Sequence, residues 1–327
     1  MDIYWKELQN LFENLFGYHF SDSQQKEVFQ KLEKIFNHLG ISSIEEGIKI
    51  LLHENSKILE EPAWKEAFLQ EFTVGETYFY REPKVWQFLK NVFFPKAYEE
   101  RKNLKNPPPL RIWSAACATG EEAYSLAITA HSLGWKVKEV EIYGTDINPF
   151  FLEKAKKGIY RPWSFRKLPD SWNPYFKAIP SDSEGSFLKK VSSFLKEYIQ
   201  FQELNLCQLP YPSPYHNPFF FDLILCRNLF IYFSPTKIQE ILQAFYKALK
   251  DGGYLILGGT ENLLGISHSF ALEFWNSLAL YKKDMEKKKK AKTSIELPLI
   301  PEEPSSSSFS LLDQPKSSLP SSFSLLN

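Results

Sequence analysis

The sequence predicts an α/β protein: a doubly wound parallel sheet, preceded by an all-helical domain and interrupted by a small inserted β subdomain. Three observations carry this. Over residues 1–72 apolar residues recur at helical spacing, with breakers between the stripes. Over residues 73–284 short apolar runs of strand length alternate with helical patterns, the signature of parallel strands joined by crossover helices. Residues 160 to about 200 break that alternation with a turn-rich stretch. A chain of 327 residues with 43 % hydrophobic and 16 % aromatic residues can bury cores for one large and one small domain.

In the helical domain, Leu8, Leu11, Phe12, Leu15 and Phe16 form one stripe that ends at Gly17. Phe29, Leu32, Ile35, Phe36 and Leu39 form a second, stopped by Gly40. Ser43 and Glu46 offer a capping box for a third helix carrying Ile44, Ile48, Leu51 and Leu52. Pro62 suits a first helical position before Trp64, Ala67, Phe68 and Phe72. In the second domain, the strand Leu110 to Ala116 follows the breaker Pro107-Pro108-Pro109, and Glu121 to Leu133 is helical. Val140 to Tyr143 is the next strand, and Asn148-Pro149 opens another helix. Phe221 to Cys226 is almost continuously apolar, as a strand covered on both faces should be. Ile238, Ile241, Leu242, Phe245 and Leu249 line a helix that Asp251-Gly252-Gly253 ends before the strand Tyr254 to Leu257. Within the insertion, Pro180 to Gly185 is a turn between two stretches able to pair as a hairpin.

Charge and composition narrow the function. The formal net charge is zero, so no global field favours nucleic acid or a membrane surface as partner. The local basic run Lys282 to Lys292 reads as a solvated linker. Cys117, Cys207 and Cys226 have no metal-ligand spacing and lie in apolar segments, as small hydrophobes of a reducing compartment do; no metal is expected. The N-terminus has neither a basic n-region nor an apolar h-region, and no run of about 20 apolar residues offers a membrane span. A cytoplasmic protein without membrane insertion is the expectation. Residues 285–327 turn to Lys, Pro and Ser and are expected to be disordered. They repeat Ser-Ser-Phe-Ser-Leu-Leu at 307–312 and 321–326, either by chance in a Ser-rich tail or as paired docking motifs for a further partner.

Four segments fall at the carboxyl ends of strands, where a doubly wound sheet binds its ligand. Ser114 to Glu122 supplies small residues and a helix N-terminus, without the Gly-x-Gly-x-x-Gly that a pyrophosphate requires. Glu122 suits the ammonium of an amino-acid-bearing cofactor, or is simply a first-turn helix-dipole partner. Asp146, ending the second strand, can take both hydroxyls of a ribose, or be an ordinary turn aspartate. Asn205-Leu206 offer a polar contact and an apolar wall; Arg227 and Asn228 end the next strand, where Arg227 can equally be a structural ion-pair partner. Before the first strand, Thr77 and Arg81 stand four apart and are expected on one face of a helical turn.

Together, Thr77 to Pro83, Trp113 to Glu122, Thr145-Asp146-Ile147, Asn205-Leu206, Cys226-Arg227-Asn228 with Ile231-Tyr232-Phe233, and Gly258 to Asn262 resemble the CheR-type chemotaxis methyltransferases, in order along residues 1–283. The resemblance implies a class I (Rossmann-like) methyltransferase sheet and S-adenosyl-L-methionine as cofactor. It implies a protein-glutamate O-methyltransferase, acting on a chemoreceptor-like signalling protein. It also implies that Thr77, Arg81, Glu122, Asp146, Asn205, Leu206, Arg227 and Asn228 bind the cofactor, with Arg81 and Tyr232 beside the acceptor carboxylate.

Three features depart from that pattern. Gly75 stands where the family usually has asparagine. Residues 1–70 hold seven lysines against twelve acidic residues and no arginine, whereas the family commonly presents basic residues there. The repeat-bearing tail is additional. A glutamate carboxylate, with a reference pKa of about 4.3, is ionised at neutral pH and needs no base, in keeping with six histidines scattered away from every motif. The alternative left open is a catalytically degenerate fold acting as a binding module, or methylation of another acceptor.

Overall fold

A computed structural model of the chain describes residues 2–180, 187–218 and 220–284. The turn residues 181–185 and the tail with its repeats lie outside the described residues. The first helices are α1 (Asp2–Phe16), α2 (Gln25–His38), α3 (Ile44–Glu54) and α4 (Pro62–Phe72), where stripes and breakers predict them. Leu8, Phe12, Leu32, Ile35, Phe36, Ile48, Leu51 and Phe68 close a core of their own. Ser43 Oγ accepts from the Glu46 N–H at 3.1 Å and caps α3.

After an irregular stretch come α5 (Pro83–Phe88) and, past a wider helical turn, α6 (Phe94–Arg101). The chain then runs β1 (Leu110–Ala115), α7 (Glu121–Ser132), β2 (Val140–Asp146) and α8 (Pro149–Lys157). The short β3 (Ile159–Tyr160), β4 (Phe176–Pro180) and β5 (Phe187–Val191) follow, then β6 (Ile199–Glu203), β7 (Phe221–Cys226) and α9 (Pro235–Ala248). Last come β8 (Leu249–Leu257), β9 (Ala271–Trp275) and β10 (Leu278–Lys282). The main sheet has the order β6-β2-β1-β7-β8-β10-β9. Its first five strands are parallel, and β10 and β9 add an antiparallel edge. The expected hairpin is β4–β5, and β3 joins it to make a three-stranded antiparallel sheet in order β3-β5-β4.

Alternate residues of each strand face opposite layers. Ile112, Ile142, Leu223 and Leu225 pack with Trp86 of α5 and Ala127 of α7. Trp113, Tyr143, Ile224 and Cys226 pack with Ile241 and Phe245 of α9 on the other side. Strand order reverses between β1 and β7, and Ala115 is level with both Thr145 and Cys226. The carboxyl ends of three strands therefore form one shelf at the switch point.

Two expectations need correction, and three strands appear that the sequence pattern does not announce. Thr77 and Arg81 do not share a helical turn: residues 73–78 are irregular, and the chain turns at Phe79-Tyr80. The N–H groups a helix would use internally go elsewhere, Phe79 N to Ser164 O at 2.9 Å and Tyr80 N to Ser125 Oγ at 3.2 Å. Pro83 disfavours helical backbone at Glu82, which takes φ 60°. Leu249 begins β8 rather than ending a helix, so Asp251-Gly252-Gly253 lie inside an irregular strand. Ile199 to Glu203, where the insertion ends, is a sheet strand that the sequence pattern does not announce. The closing pair β9–β10 also escapes the sequence pattern.

Asn148 joins the helical bundle to the shelf. Its Oδ1 caps α8 by accepting from Phe150 N and Phe151 N at 2.9 and 3.3 Å. Its Nδ2 donates to Thr73 Oγ1, just beyond α4, at 2.8 Å. Asn148→Ala should lower the unfolding free energy by about 1–2 kcal/mol in urea titration; an unchanged midpoint would contradict this double role.

Candidate functional site

A cleft of about 1010 Å³, counted out to its open mouth, lies over the shelf. Thr77, Arg81, Glu122, Asp146, Asn205, Leu206, Arg227, Asn228 and Tyr232 all border it, so the structure brings every sequence-selected residue to one place. Phe16, at the end of α1, and Tyr18, just beyond it, complete its wall.

The floor is the loop after β1. Ala116, Ala118 and Gly120 take positive φ of 57°, 48° and 92°. Gly120 is required there, because a Cβ would also come 2.6 Å from Ala155 Cβ. This winding turns Cys117 N to Thr145 O and Ala118 N to Asp146 Oδ2, both at 2.8 Å. Asp146 Oδ1 accepts from Asn148 N at 2.9 Å. The carboxylate is thus anchored by backbone amides, and each oxygen keeps a lone pair for a ligand. Burial pushes its pKa up to about 6, against the opposing pull of those amides.

Arg227 occupies the opposite side with a side chain only 3 % exposed. It pairs with Glu122 Oε2 at 2.9 Å and Glu82 Oε2 at 3.3 Å, and donates to Arg81 O at 2.8 Å. Glu122 also accepts from Ser114 Oγ at 2.6 Å, so its carboxylate is fixed as well as charged. The structural reading of Arg227 therefore holds. Its Nε, however, is buried without a partner among the described residues. A ligand acceptor group would satisfy that orphaned donor. The neighbouring Glu121 turns away from the cleft, bonding Thr119 and Ser164, and so ties the floor loop to the insertion.

The remaining residues are placed by contacts the sequence did not announce. Asn228, at φ 61°, is held by Glu261, a carboxylate accepting from three backbone N–H groups: Asn228, Gly258 and Phe230, at 2.7–2.8 Å. Glu261 lay inside a recognised motif, but only the fold reveals this bracing. Asn205 Nδ2 donates to Leu15 O at 2.8 Å, fastening the end of α1 to the site, while its Oδ1 accepts from Cys207 N at 2.9 Å. Leu206 is buried. The Arg81 guanidinium spends one N–H on Glu76 O at 2.8 Å, and its other N–H groups have no hydrogen bond among the described residues. The Tyr18 ring meets Tyr232 edge-on at 6.2 Å, and His19 N donates to Tyr232 O at 2.8 Å. One histidine is therefore near a motif after all, although its exposed side chain lies 4.0 Å from Glu13. Cys117 and Cys226 are buried thiols with pKa values raised by burial, in keeping with small buried hydrophobes, whereas Cys207 is only partly buried.

This strand order, with an anchored acid ending β2 and a small-residue loop after β1, defines a class I S-adenosylmethionine-dependent methyltransferase. Residues 75–277 match the family model "CheR methyltransferase, SAM binding domain". The chain is 32 % identical over 283 residues to the chemotaxis protein methyltransferase of Escherichia coli K12, covering 86 % of this chain and 92 % of that one. The Salmonella typhimurium protein of the same name is 32 % identical over 283 residues, covering 86 % and 91 %. That of Borreliella burgdorferi is 30 % identical over 261 residues, covering 77 % and 85 %. The chain belongs to the CheR methyltransferase family, and S-adenosylmethionine is its cofactor. The donor set fits: two oriented carboxylates for hydroxyl and ammonium donors, and one buried guanidinium N–H lacking an acceptor.

Glu261→Ala should leave three turn N–H groups unmet, lowering stability by about 1–3 kcal/mol in chemical denaturation and weakening S-adenosylhomocysteine binding in calorimetry. Wild-type values for both would contradict its bracing role.

Proposed function

We propose that this protein transfers the methyl group of S-adenosylmethionine to glutamate side-chain carboxylates of a chemoreceptor-like signalling protein, forming methyl esters. The carrying observation is the absence of a free base among the described residues of the cleft. No histidine or lysine borders it. Glu122 is paired with Arg227, Asp146 is anchored by amides, and Glu76 is paired with Arg166. An acceptor hydroxyl or ammonium would have to lose a proton; a glutamate carboxylate arrives ionised. The names of the relatives support a protein of the chemotaxis system as acceptor.

In this reading Asp146 accepts the ribose hydroxyls, Glu122 takes the cofactor's ammonium, and Arg227 Nε takes its carboxylate. Thr77, Asn205, Leu206 and Asn228 complete the cofactor wall. When bound, S-adenosylmethionine supplies an electrophilic methyl group on a sulfonium. Arg81 uses its spare N–H groups, and Tyr232 its hydroxyl, to orient the acceptor carboxylate without removing a proton. The gain comes from alignment and from excluding water, which Tyr18 and Phe16 assist by closing the cleft. Three free cysteines favour the cytoplasm as the working compartment. The excess of acidic residues over residues 1–70 favours a basic complement on the partner.

With tritiated cofactor and a lysate, label should appear on protein and be released as methanol by mild base. Base-stable label would overturn the glutamate ester. Asp146 sets a pH dependence with a definite sign. The cofactor's hydroxyls need the ionised carboxylate, so binding is lost as pH falls through about 6. S-adenosylhomocysteine should bind about tenfold more weakly at pH 5 than at pH 8, whereas a flat profile would contradict the role given to Asp146.

A further inference from the structure

The cleft has a charged side and an apolar side. Glu122 and Arg227 follow β1 and β7, whereas Ile147, Phe151 and Leu206 follow β2 and β6, which pair beside Asp146. Phe151 stands on the first turn of α8, its ring half-buried and bordering the cleft. It contacts no other aromatic ring among the described residues. Instead the tip of the ring abuts the backbone at Gly75. A Cβ there would come 2.8 Å from Cζ, 3.1 Å from Cε1 and 3.2 Å from Cε2. The approach is held from both ends by one residue, since Asn148 accepts from Phe151 N and donates to Thr73 Oγ1. Any side chain at position 75 would have to displace this ring.

We propose that Phe151 is a cofactor-binding residue whose ring forms the wall against which the adenine of S-adenosylmethionine lies, and that Gly75 is the clearance that lets the ring sit there. The inference rests on the reading that Asp146 holds the ribose. Base and hydroxyls belong to the same sugar, so the base must lie close to Asp146, on the side opposite the charged amino-acid end. Of the residues that follow β2 and β6 there, Ile147, Leu206 and Phe151, only Phe151 carries an aromatic ring for a purine to lie against, while Phe16 and Tyr18 border the cleft from the end of α1.

Calorimetric titrations of the full chain with S-adenosylhomocysteine and with adenosine test this. Phe151→Ala should weaken both ligands about tenfold and to a similar extent, because they share the base; Phe151→Leu, which keeps apolar bulk, should fall between. Gly75→Ala should weaken both ligands in the wild-type background and cost little further in the Phe151→Ala background. Wild-type affinity of Phe151→Ala for both ligands, or additive losses in the double variant, would overturn the proposal. If Phe151→Ala does not fold by circular dichroism, a wild-type affinity in Phe151→Leu together with Gly75→Ala would overturn it equally. Asp146→Ala separates the two claims. Loss of binding there with none at Phe151 sinks only the aromatic wall, while no binding by the wild type sinks the ribose reading and the wall together.

Discussion

One buried guanidinium sets the geometry of the cleft. Arg227 sits at the end of β7 and reaches Glu122 at the start of α7, Glu82 before α5, and the carbonyl of Arg81. A cation this deep loses several kcal/mol of hydration unless its partners are well placed. Two carboxylates and a carbonyl supply that compensation, so three chain segments far apart in sequence are held to one point. The unfavourable backbone at Tyr80, Glu82 and Asn228, all at φ near +60°, clusters around the same group. Strain of this kind persists only where surrounding contacts over-determine it.

From this constraint the rest of the site follows. With Glu122 and Asp146 each fixed by dedicated donors, the cleft presents charge without a mobile base. The helical bundle is then more than an appendage. Asn205 fastens α1 to the floor, Asn148 fastens α4, and Tyr18 leans on Tyr232, so the wall of the cleft belongs partly to each region. The proposed transfer to a carboxylate, which asks for alignment rather than proton removal, would be well served by walls tied together in this way.

The fold was legible where side-chain periodicity was strong. The helical bundle and the buried strands β1 and β7 declare themselves through uniform apolar stripes or runs. The edge strand β6, Ile-Gln-Phe-Gln-Glu, did not, because a strand exposed on one side alternates with polar residues. Strand β8 contains Asp251-Gly252-Gly253, whose local signal is a stop; they form the irregularity between Leu249 and Tyr254, the residues paired with β7, and Gly252 N and Gly253 O bond to Lys283 instead. The chosen site residues converge because small-residue loops and strand-end acids are local features. Their supports Glu82, Glu261 and Tyr18 were silent because each acts on a residue distant in sequence. The helical turn expected for Thr77 and Arg81 failed for a related reason: its N–H groups found partners in Ser164 and Ser125 instead.

The most direct test replaces the organising cation by one that keeps its charge but loses its fork. In Arg227→Lys a single ammonium cannot meet both carboxylates and the carbonyl at once. With helicity and melting temperature measured on the same sample, a folded Arg227→Lys protein should bind S-adenosylhomocysteine on the order of 100-fold more weakly than wild type, about 2.7 kcal/mol. Near-wild-type affinity in a folded protein would contradict the claim that this one guanidinium assembles the site.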